Sequence, residues 1–440
     1  MLIFDLKKDD FKEFLKKRRL GQFDFSDKIQ QELKIIRSDV ISKGDKALSA
    51  YTEKFDKIKL RPEDFLIKEK EKVKAVNSLT KSERKSIENT IGRVYDYHSK
   101  QKIQTWFSNN NDGLITGQLI APLQKVGIYV PGGKASYPSS VIMNAVPASA
   151  AGVKDIIMVT PPGGRLNDYV IAAAVLCGIG KIFKIGGPHA VFALAYGTET
   201  IPRVDKITGP GNIYVATAKK MVYGDVDIDM IAGPSEIAII CDESADPELV
   251  SIDMMSQAEH DEMAISTVIS NIPSVIENIA QILPKLIKRE KRKNIIEKSI
   301  NSNASLVLTG SVKESIDVAN ELAPEHLELY VKDPFEKLFL IKNAGAVFLG
   351  GNTPEALGDY VAGPSHVLPT GGTARFFSPL DTLSFLKRTS VISSNSDFLL
   401  ESAGDVGFFS DIEGLGAHGE SVSCRVKKAK KIIKKSTCLR

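Results

Sequence analysis

Four segments in the second half of the chain place a histidine within seven residues of a carboxylate or an amide. They span residues 256–260, 323–327, 358–366 and 413–418. Histidine changes its protonation near neutral pH, and its ring nitrogens also bind transition metals. The four segments therefore predict a site for metal binding or proton transfer, built from residues that are far apart in sequence.

The first segment lies near the end of a predicted helix at residues 246–262. Gln257 and His260 are three residues apart, so they share one helix face and can present an amide oxygen and an imidazole nitrogen to one ion. A capping or solvent-facing histidine explains the pair as well, because Q-x-x-H is a much weaker signal than a C-x-x-C pair.

The second segment contains Glu325 and His326 after Pro324, which ends the preceding predicted helix. A histidine at this junction can take and return protons, and the neighbouring glutamate can activate water in a separate step. An exposed acidic pair on a loop accounts for the two residues equally well.

The third and fourth segments supply further ligands. Asp359 offers an anionic oxygen, and the glycines and proline before His366 are typical of backbone that approaches a ligand closely. His418 is close to the end of the chain and acquires a function only if it completes a site begun elsewhere. Two imidazoles, an amide and a carboxylate suit a divalent metal; zinc is favoured, and the oxygen ligands also accept manganese.

Three glycine-rich turns in the middle of the chain each follow a predicted strand, at residues 131–134, 186–187 and 209–212. Such turns allow a ligand to approach the backbone at the carboxyl ends of strands. None of the three has the G-x-G-x-x-G pattern of the usual dinucleotide fingerprint. Ordinary turns of an α/β fold therefore explain them equally well.

The helices and strands predicted along the chain indicate an α/β fold. Residues 1–105 are charge-rich and predict amphipathic helices, for example over 29–51. After residue 121, β-type runs alternate with helical ones, which predicts parallel βαβ units in two similar halves. The predicted strands are at residues 126–130, 155–160, 181–185, 204–208, 237–241, 265–269, 306–308, 327–331 and 346–349.

Length and composition exclude several classes of protein. The 440 residues are 43% hydrophobic and 25% charged, with a formal charge of +4, as expected for a globular protein of two or three domains. The sequence contains no bilayer-length apolar run and begins with no secretory signal pattern, so we expect a cytoplasmic location and no membrane partner. Its four cysteines form no C-x-x-C pair, which predicts reduced thiols.

Taken in order, these motifs resemble the histidinol dehydrogenase family. The resemblance covers nearly the whole chain, from Val40 to His418. Its most specific stretches are VGIYVPGG at 126–133, GPGN at 209–212, AGPSE at 232–236, SQAEH at 256–260, APEHL at 323–327 and HVLPTGGTAR at 366–375. So many matches in one order are far beyond chance.

The resemblance implies an oxidoreductase that ends histidine biosynthesis. It would convert L-histidinol to L-histidine through L-histidinal with two NAD, and it would hold one zinc per subunit, with manganese as a substitute. It makes Glu325 and His326 the catalytic acid/base pair. The implied zinc ligands are Gln257, His260, Asp359 and His418. The implied substrate contacts are these four residues together with Ser235, His326, His366 and Glu413. The implied NAD contacts are Tyr129, His189 and Asn212.

The same resemblance implies two Rossmann-like parallel-sheet domains, with helical N-terminal and C-terminal segments that support dimerisation. Glu413 and His418 are expected to cross into the partner's site in a homodimer. The expected ranges are an N-terminal helical segment at 1–25, a first α/β domain at 26–128 and 236–379 with most of the metal site, an NAD-side domain at 129–235 and a dimerisation tail at 380–440.

One departure and two other functions complete the sequence-based interpretation. Pro188 and His189 stand where the family usually has Ala-Gln, and histidine can also form a hydrogen bond there. A zinc hydrolase with Glu325 as the base for water is an alternative enzyme. The basic segment 425–440 would suit a nucleic-acid-binding protein, but the near-neutral charge of the rest of the chain argues against that class.

Overall fold

The computed structural model describes two compact units. The described residues are 1–6, 10, 13, 15, 26–109, 112–132, 137–163 and 167–437, with the backbone alone for 433–437. The first unit comprises Met1–Lys102 and Leu123–Phe385, and the second comprises Ile103–Pro122 and Leu386–Arg440. Among these described residues, no helix has the length and apolar character needed to cross a membrane.

The strands and α-helices of the described residues are numbered here in chain order. The strands are β1 (Leu2–Asp5), β2 (Trp106–Asn109), β3 (Leu114–Pro122), β4 (Lys125–Tyr129), β5 (Asp155–Val159), β6 (Lys181–Phe183), β7 (Lys206–Thr208), β8 (Asp227–Ile228), β9 (Glu236–Cys241), β10 (Ile265–Ser270), β11 (Ser305–Leu308), β12 (His326–Tyr330), β13 (Ala346–Leu349) and β14 (Leu386–Ser394). The helices are α1 (Asp27–Lys43), α2 (Asp45–Asp56), α3 (Glu69–Asn77), α4 (Lys81–Ser99), α5 (Pro138–Ala151), α6 (Asp168–Leu176), α7 (Gly187–Tyr196), α8 (Ile213–Val222), α9 (Pro247–Ala258), α10 (Pro273–Ile287), α11 (Lys293–Asn303), α12 (Val312–Leu322), α13 (Pro334–Lys337), α14 (Glu355–Tyr360), α15 (Ser396–Ile412) and α16 (Gly416–Thr437).

Two parallel sheets form the first unit, and they repeat one topology. The five-stranded sheet has the order β6-β5-β4-β7-β8, and the six-stranded sheet has the order β1-β11-β10-β9-β12-β13. Counted along its own segment of chain, each contains the Rossmann-type order 3-2-1-4-5, to which β1 adds an edge strand in the second sheet. The prediction of two Rossmann-like parallel sheets is confirmed.

Burial explains why apolar residues predominate in these strands. All six residues of β9 are buried, as are all six of β10, because helices cover both faces of the sheet. The helices that pack there are amphipathic; α10, for example, buries Ile276, Ile279 and Leu283 on one side. The few polar side chains within these buried strands therefore stand out.

Parts of the N-terminal region differ from the prediction. Leu2–Asp5 is a strand that pairs in parallel with β11, so this part of the expected helical segment 1–25 is wrong, and most of the rest lies outside the described residues. The helical structure predicted over 29–51 is present as two helices, because Gly44, with a φ of +53°, separates α1 from α2. A local sequence pattern does not identify β1, because its partner strand is about 300 residues away.

The second unit contains an antiparallel sheet and two helices. Its sheet has the order β14-β3-β2, so β14 pairs with a strand far earlier in the chain. The sequence predicts only mixed structure before the C-terminal helices, and it assigns 103–122 to the first α/β domain, whereas this segment belongs to the second unit. The described cysteines, Cys177, Cys241 and Cys424, are free thiols as expected; Cys438 lies outside the described residues.

Candidate active site

The predicted catalytic pair lies at the amino ends of strands in the six-stranded sheet. His326 is the first residue of β12, which pairs in parallel with both β9 and β13. The chain reaches these strand ends from helix C-termini: α9, which carries Gln257, leads into β10, and α12 leads into β12. Helix C-termini carry partial negative charge, so this edge of the sheet favours a cation.

The backbone of Glu236 holds both of the side chains that are predicted to be catalytic. Its N–H donates to Glu325 Oε2 at 2.9 Å, and its carbonyl oxygen lies 3.1 Å from His326 Nδ1. Because a carbonyl can only accept, Nδ1 carries the proton and the lone pair of the neutral ring is on Nε2. Among the described residues, that buried Nε2 has no hydrogen-bond partner. The ring is therefore set up to accept a proton at Nε2.

Burial disfavours the charged form of both groups in this pair. It lowers the pKa of His326 to about 3, even though the hydrogen bond to the Glu236 carbonyl acts in the opposite direction. Burial also raises the pKa of Glu325 well above its usual range, and the nearby charges of Glu236 and Asp359 raise it further. Titratable groups perturbed in this way are typical of functional sites.

A compact group of possible metal ligands surrounds His326. One ligand atom from each of His326, Glu355 and Asp359 lies within 4.8 Å of the other two. His326 Nε2 is 3.9 Å from Asp359 Oδ1, and His326 Nδ1 is 3.5 Å from Glu355 Oε1. Glu355 and Asp359 are one turn apart on α14, so they face the same way. Asp359 alone belongs both to this group and to the predicted zinc ligands.

Gln257 contacts the same group through Glu355. Its hydrogen-bond partners assign the amide: the nitrogen donates to the Glu355 carboxylate, and the oxygen accepts from the Glu236 N–H at 3.1 Å. The oxygen retains a second lone pair, as a metal ligand requires. His260 is exposed. Desolvation lowers the pKa of His260, and the smaller effect of the nearby Asp359 charge raises it.

His366 links this cluster to the other sheet. Its Nδ1 donates to the carbonyl oxygen of Asp359 at 3.0 Å, and its Nε2 lies 3.4 Å from the hydroxyl of Ser140, in the first turn of α5. Burial lowers the pKa of His366 to about 4, which keeps the ring neutral. Since α5 follows β4 in the five-stranded sheet, His366 lies where elements of the two sheets meet.

The remaining predicted substrate contacts are in two places. Ser235 directly precedes β9, is half-buried, and accepts the Ile265 N–H at 2.9 Å through its carbonyl. Glu413 and His418 belong to the second unit, where both are exposed at the junction of α15 and α16. Their participation in the site remains a prediction.

The predicted NAD turns lie at the carboxyl ends of strands in the five-stranded sheet. The strand order reverses between β4 and β7, which is where open α/β sheets bind ligands. Gly209 follows β7 with a φ of +112°, and a Cβ there would lie 2.0 Å from the Tyr129 carbonyl oxygen, so only glycine fits. The Tyr129 hydroxyl accepts the Gly187 N–H at 3.1 Å and joins two of the turns. Gly133 and Lys134 lie outside the described residues.

Two of the residues that are predicted to contact NAD have side chains that contact other parts of the protein. The His189 side chain is fully buried and faces α2, with Nε2 3.3 Å from the Thr52 hydroxyl and the ring beside Tyr51 and Phe55. Core packing takes the imidazole of His189, and a contact of this residue with NAD stays a prediction. Asn212 caps α8 through its side-chain oxygen, which leaves its amide N–H groups for a ligand.

A buried ion pair holds the Gly209 turn. Lys219 and Asp229 pair with side chains 3% and 1% exposed; Lys219 also donates to the Gly209 carbonyl, and Asp229 accepts the Gly209 N–H. We expect Asp229→Asn to lower the free energy of unfolding by about 3–5 kcal/mol, because it leaves a buried ammonium without its partner. Denaturant unfolding measures the change.

Asp227→Asn is the matched control for that variant. Asp227 is 50% exposed and pairs with Lys206, which also donates to the Ser384 carbonyl. Its loss should cost less than about 1 kcal/mol. Equal destabilisation by the two variants would contradict a special role for the buried pair.

Sequence-based reasoning missed Glu236 and Glu355. Glu236 joins the cluster mainly through its backbone, and its carboxylate accepts the Gly371 N–H at 2.8 Å. Glu355 is 2% exposed and lies among other buried carboxyl groups. One signal in the sequence could have indicated this cluster, namely a charged residue within a buried apolar strand. Glu328 is such a residue, and its carboxylate accepts the Glu355 N–H at 2.8 Å.

Comparison with known proteins gives one consistent result. A family model described as histidinol dehydrogenase matches residues 21–426. The histidinol dehydrogenase of Sulfurimonas denitrificans is 46% identical over 423 residues, covering 96% of this chain and 97% of that protein. That of Geobacter sulfurreducens is 49% identical over 401 residues, covering 91% and 94%. The crystal structure of histidinol dehydrogenase from Elizabethkingia anophelis aligns with a TM-score of 0.91 and 31% identity, over 98% of this chain and 99% of that one.

Proposed function

Because the chain belongs to the histidinol dehydrogenase family, we propose that it oxidises L-histidinol to L-histidine through L-histidinal, with zinc as its metal and two NAD as oxidants. It is an oxidoreductase of histidine biosynthesis. The buried Glu325–His326 pair is the observation that carries the mechanism. Each of its members has a hydrogen bond that orients it, and each is available for proton transfer.

His326 is the base for the first oxidation. Its Nε2 takes the hydroxyl proton of L-histidinol as hydride leaves the same carbon for NAD, giving L-histidinal and NADH. The Asp359 carboxylate, 3.9 Å from Nε2, stabilises the imidazolium that forms. A low pKa makes the imidazole a weak base, but it keeps the lone pair available across the neutral range.

Glu325 is the base for the second oxidation. Water adds to the aldehyde carbon while Glu325 takes one of its protons, and the imidazolium of His326 returns its proton to the oxygen of the aldehyde, which becomes the second hydroxyl. As hydride leaves this hydrate for a second NAD, the neutral His326 again takes a hydroxyl proton, which gives the carboxylic acid. Burial raises the pKa of Glu325, so its carboxylate binds the proton it removes more tightly than an exposed glutamate would.

The residues present fit a divalent metal. Buried carboxylates and imidazoles converge with helix C-termini, and the positive charge of a metal would offset the burial that raises the pKa of Asp359. Gln257, His260 and Asp359 would hold the ion, with His418 as the fourth ligand. The ion would supply a Lewis acid that helps to orient the substrate.

NAD binding is assigned to the turns after β4, β6 and β7. Close backbone approach at Gly209 and the N-terminus of α7 at Gly187 suit a pyrophosphate. Tyr129 and Asn212 stay as proposed contacts, and residue 189 contributes through its backbone. The Ser140–His366 contact joins this side to the catalytic cluster, as hydride transfer between two bound molecules requires.

A homodimer completes the proposed site. The second unit exposes large apolar side chains on α15 and after it: Phe408, Phe409, Ile412 and Leu415 are 60%, 57%, 64% and 43% exposed. Apolar clusters of this kind mark association surfaces. Glu413 and His418 lie in the same stretch, so a partner's site is their proposed position. We place the enzyme in the cytoplasm, where the NAD of biosynthetic metabolism is available.

Removal of the metal tests the function directly. Chelation should lower histidinol-dependent NADH formation about 100-fold or more, since a bound Lewis acid contributes several kcal/mol to catalysis. Zinc should restore the rate, and manganese should restore it in part. NADH absorbance is the measurement, and an untreated sample without histidinol is the control. No NADH with either metal, or hydrolysis of esters without NADH, would overturn the proposal.

A further inference from the structure

Glu355 is a buried acid that lies behind the wall of the cavity at the candidate site. This cavity, of about 520 Å³, is lined by His326 and Asp359, and Glu355 is not among its described lining residues. Glu355 is only 2% exposed. Burying a carboxyl group is unfavourable unless hydrogen bonds replace those it made to water. The contacts of Glu355 with neighbouring protein groups therefore indicate what it does.

Contacts with β12 fix the position of Glu355 at the start of α14. Glu328, the third residue of β12, accepts the Glu355 N–H with its carboxylate at 2.8 Å. Side chains two residues apart on a strand point to the same face, so Glu328 and His326 both face α14. One turn later on this helix, Asp359 Oδ1 lies 3.9 Å from His326 Nε2. Glu355 is thus held beside the residues that are candidates for metal binding.

Both oxygens of the Glu355 carboxylate contact the same atom of Gln257. The amide nitrogen of Gln257 donates to Oε1 and, at 2.9 Å, to Oε2, while the amide oxygen accepts the Glu236 N–H at 3.1 Å. An ionised carboxylate can only accept and a backbone N–H can only donate, so this orientation of the amide alone satisfies both neighbours. Glu355 and the Glu236 backbone together determine which end of the amide carries the oxygen.

The orientation of this amide decides whether Gln257 can bind a cation. The amide oxygen has lone pairs, whereas the NH₂ group is only a donor. If the amide turned over, its NH₂ group would meet the Glu236 N–H, and the oxygen would be lost as a metal ligand. Hydrogen bonds from neighbouring residues orient metal ligands in this way, and their loss typically weakens metal binding about 10–100-fold.

We propose that Glu355 is a positioning residue, which holds the amide of Gln257 so that its oxygen binds the metal. The inference rests on the proposed function only for the role of Gln257 as a metal ligand. It gives a role to a buried acid that the sequence motifs do not contain. Glu355 acts through Gln257 and needs no contact of its own with the metal or the substrate.

Zinc binding to the metal-free enzyme, without NAD or L-histidinol, tests this role. Glu355→Gln preserves the size of the side chain. Because both carboxylate oxygens contact the Gln257 nitrogen, the new side chain must place its own NH₂ group against that nitrogen, which favours the turned amide. We expect the zinc Kd, from competition with a chelator, to rise about 10–100-fold. The Kd for NAD and the midpoint of thermal unfolding check that the variant is folded.

The same substitution in a Gln257→Ala background separates positioning from other roles. With no amide to orient, Glu355→Gln should change the zinc Kd by less than about twofold, so the effects of the two substitutions should not add. A further rise of about tenfold in that background would overturn the proposal, because a direct metal ligand or a purely structural residue does not act through Gln257. An unchanged zinc Kd in the Glu355→Gln single variant would also overturn it.

Glu328→Gln is the matched control. Glu328 is buried in the same cluster, and a glutamine oxygen there can still accept the Glu355 N–H. It does not hold the Gln257 amide, so the zinc Kd should stay within about threefold of the wild-type value. A rise equal to that of Glu355→Gln would show that any buried acid of the cluster has this effect, and it would overturn the positioning role.

The wild-type enzyme and the Gln257→Ala variant distinguish failure of this inference from failure of the metal site. If the wild-type enzyme does not bind zinc, or if Gln257→Ala binds it as tightly, the metal assignment and the positioning role both fail. If Gln257→Ala weakens zinc binding and Glu355→Gln does not, the positioning role alone fails. Should Glu355→Gln not fold, Glu355→Asp replaces it in both backgrounds with the same expected results, because its shorter side chain withdraws the carboxylate from Gln257.

Discussion

Glu325→Gln is expected to slow the oxidation of L-histidinal about 10²–10⁴-fold while slowing the oxidation of L-histidinol much less. Glutamine has nearly the shape of glutamate, and its amide oxygen can still accept the Glu236 N–H that holds Glu325 Oε2 at 2.9 Å. It cannot take a proton from water, so only the step that needs water should fail. Single-turnover NADH formation from each substrate measures the two rates.

The matched control for this variant is Glu321→Gln. Glu321 lies at the surface, where its 54% exposed carboxylate pairs with Arg375. Both half-reactions should keep wild-type rates in that control. If Glu325→Gln slows the two oxidations equally, separate bases for the two steps are ruled out.

His326→Asn is expected to slow both half-reactions about 10²–10⁴-fold, because each oxidation releases a proton near this residue. The asparagine amide can donate to the Glu236 carbonyl as Nδ1 does, which keeps the local hydrogen bond. It has no group at the position of Nε2. Rates for each half-reaction and the midpoint of thermal unfolding separate a chemical loss from a structural one.

The pH profile of the wild-type enzyme provides a second check on His326. Burial holds its pKa at about 3, so the imidazole protonates only well below neutrality and stays an available base through the mildly acidic range. A cation at Asp359 would lower this pKa further, in the same direction. If a group with a pKa near 6.5 limits the rate and disappears in His326→Asn, this description of the base is wrong.

The position of the catalytic pair departs from a common rule for α/β proteins. Ligands usually bind at the carboxyl ends of parallel strands, as the Gly209 turn indicates for the five-stranded sheet. Glu236, Glu325 and His326 are instead at the amino edge of the six-stranded sheet. The negative ends of α9 and α12 converge there, which favours a metal ion and a substrate with cationic groups over a phosphate.

The sequence by itself determined the fold class and the family. Apolar runs of strand length predict nine strands close to their observed positions, which are the strands from β4 to β13 except β8. These strands are predictable because a buried parallel strand has an apolar run within its own sequence. The two-residue strand β8, the edge strand β1 and the antiparallel sheet of β2, β3 and β14 escaped prediction. Strands β1 and β14 pair with strands that are distant in the chain, and β8 is only two residues long.

The tertiary structure decided which polar groups are active and which serve the core. Motif spacing marked Glu325 and His326, but only long-range contacts with Glu236 assign the proton to Nδ1 and leave the lone pair on Nε2, the atom we propose as the base. Other contacts bury His189 against α2 and place His98 in the wall of the cavity that His326 lines. Residue type is local, whereas burial, tautomer and hydrogen-bond partner depend on neighbours up to hundreds of residues away. For that reason the sequence determined what chemistry is available, and the fold decided which atoms perform it.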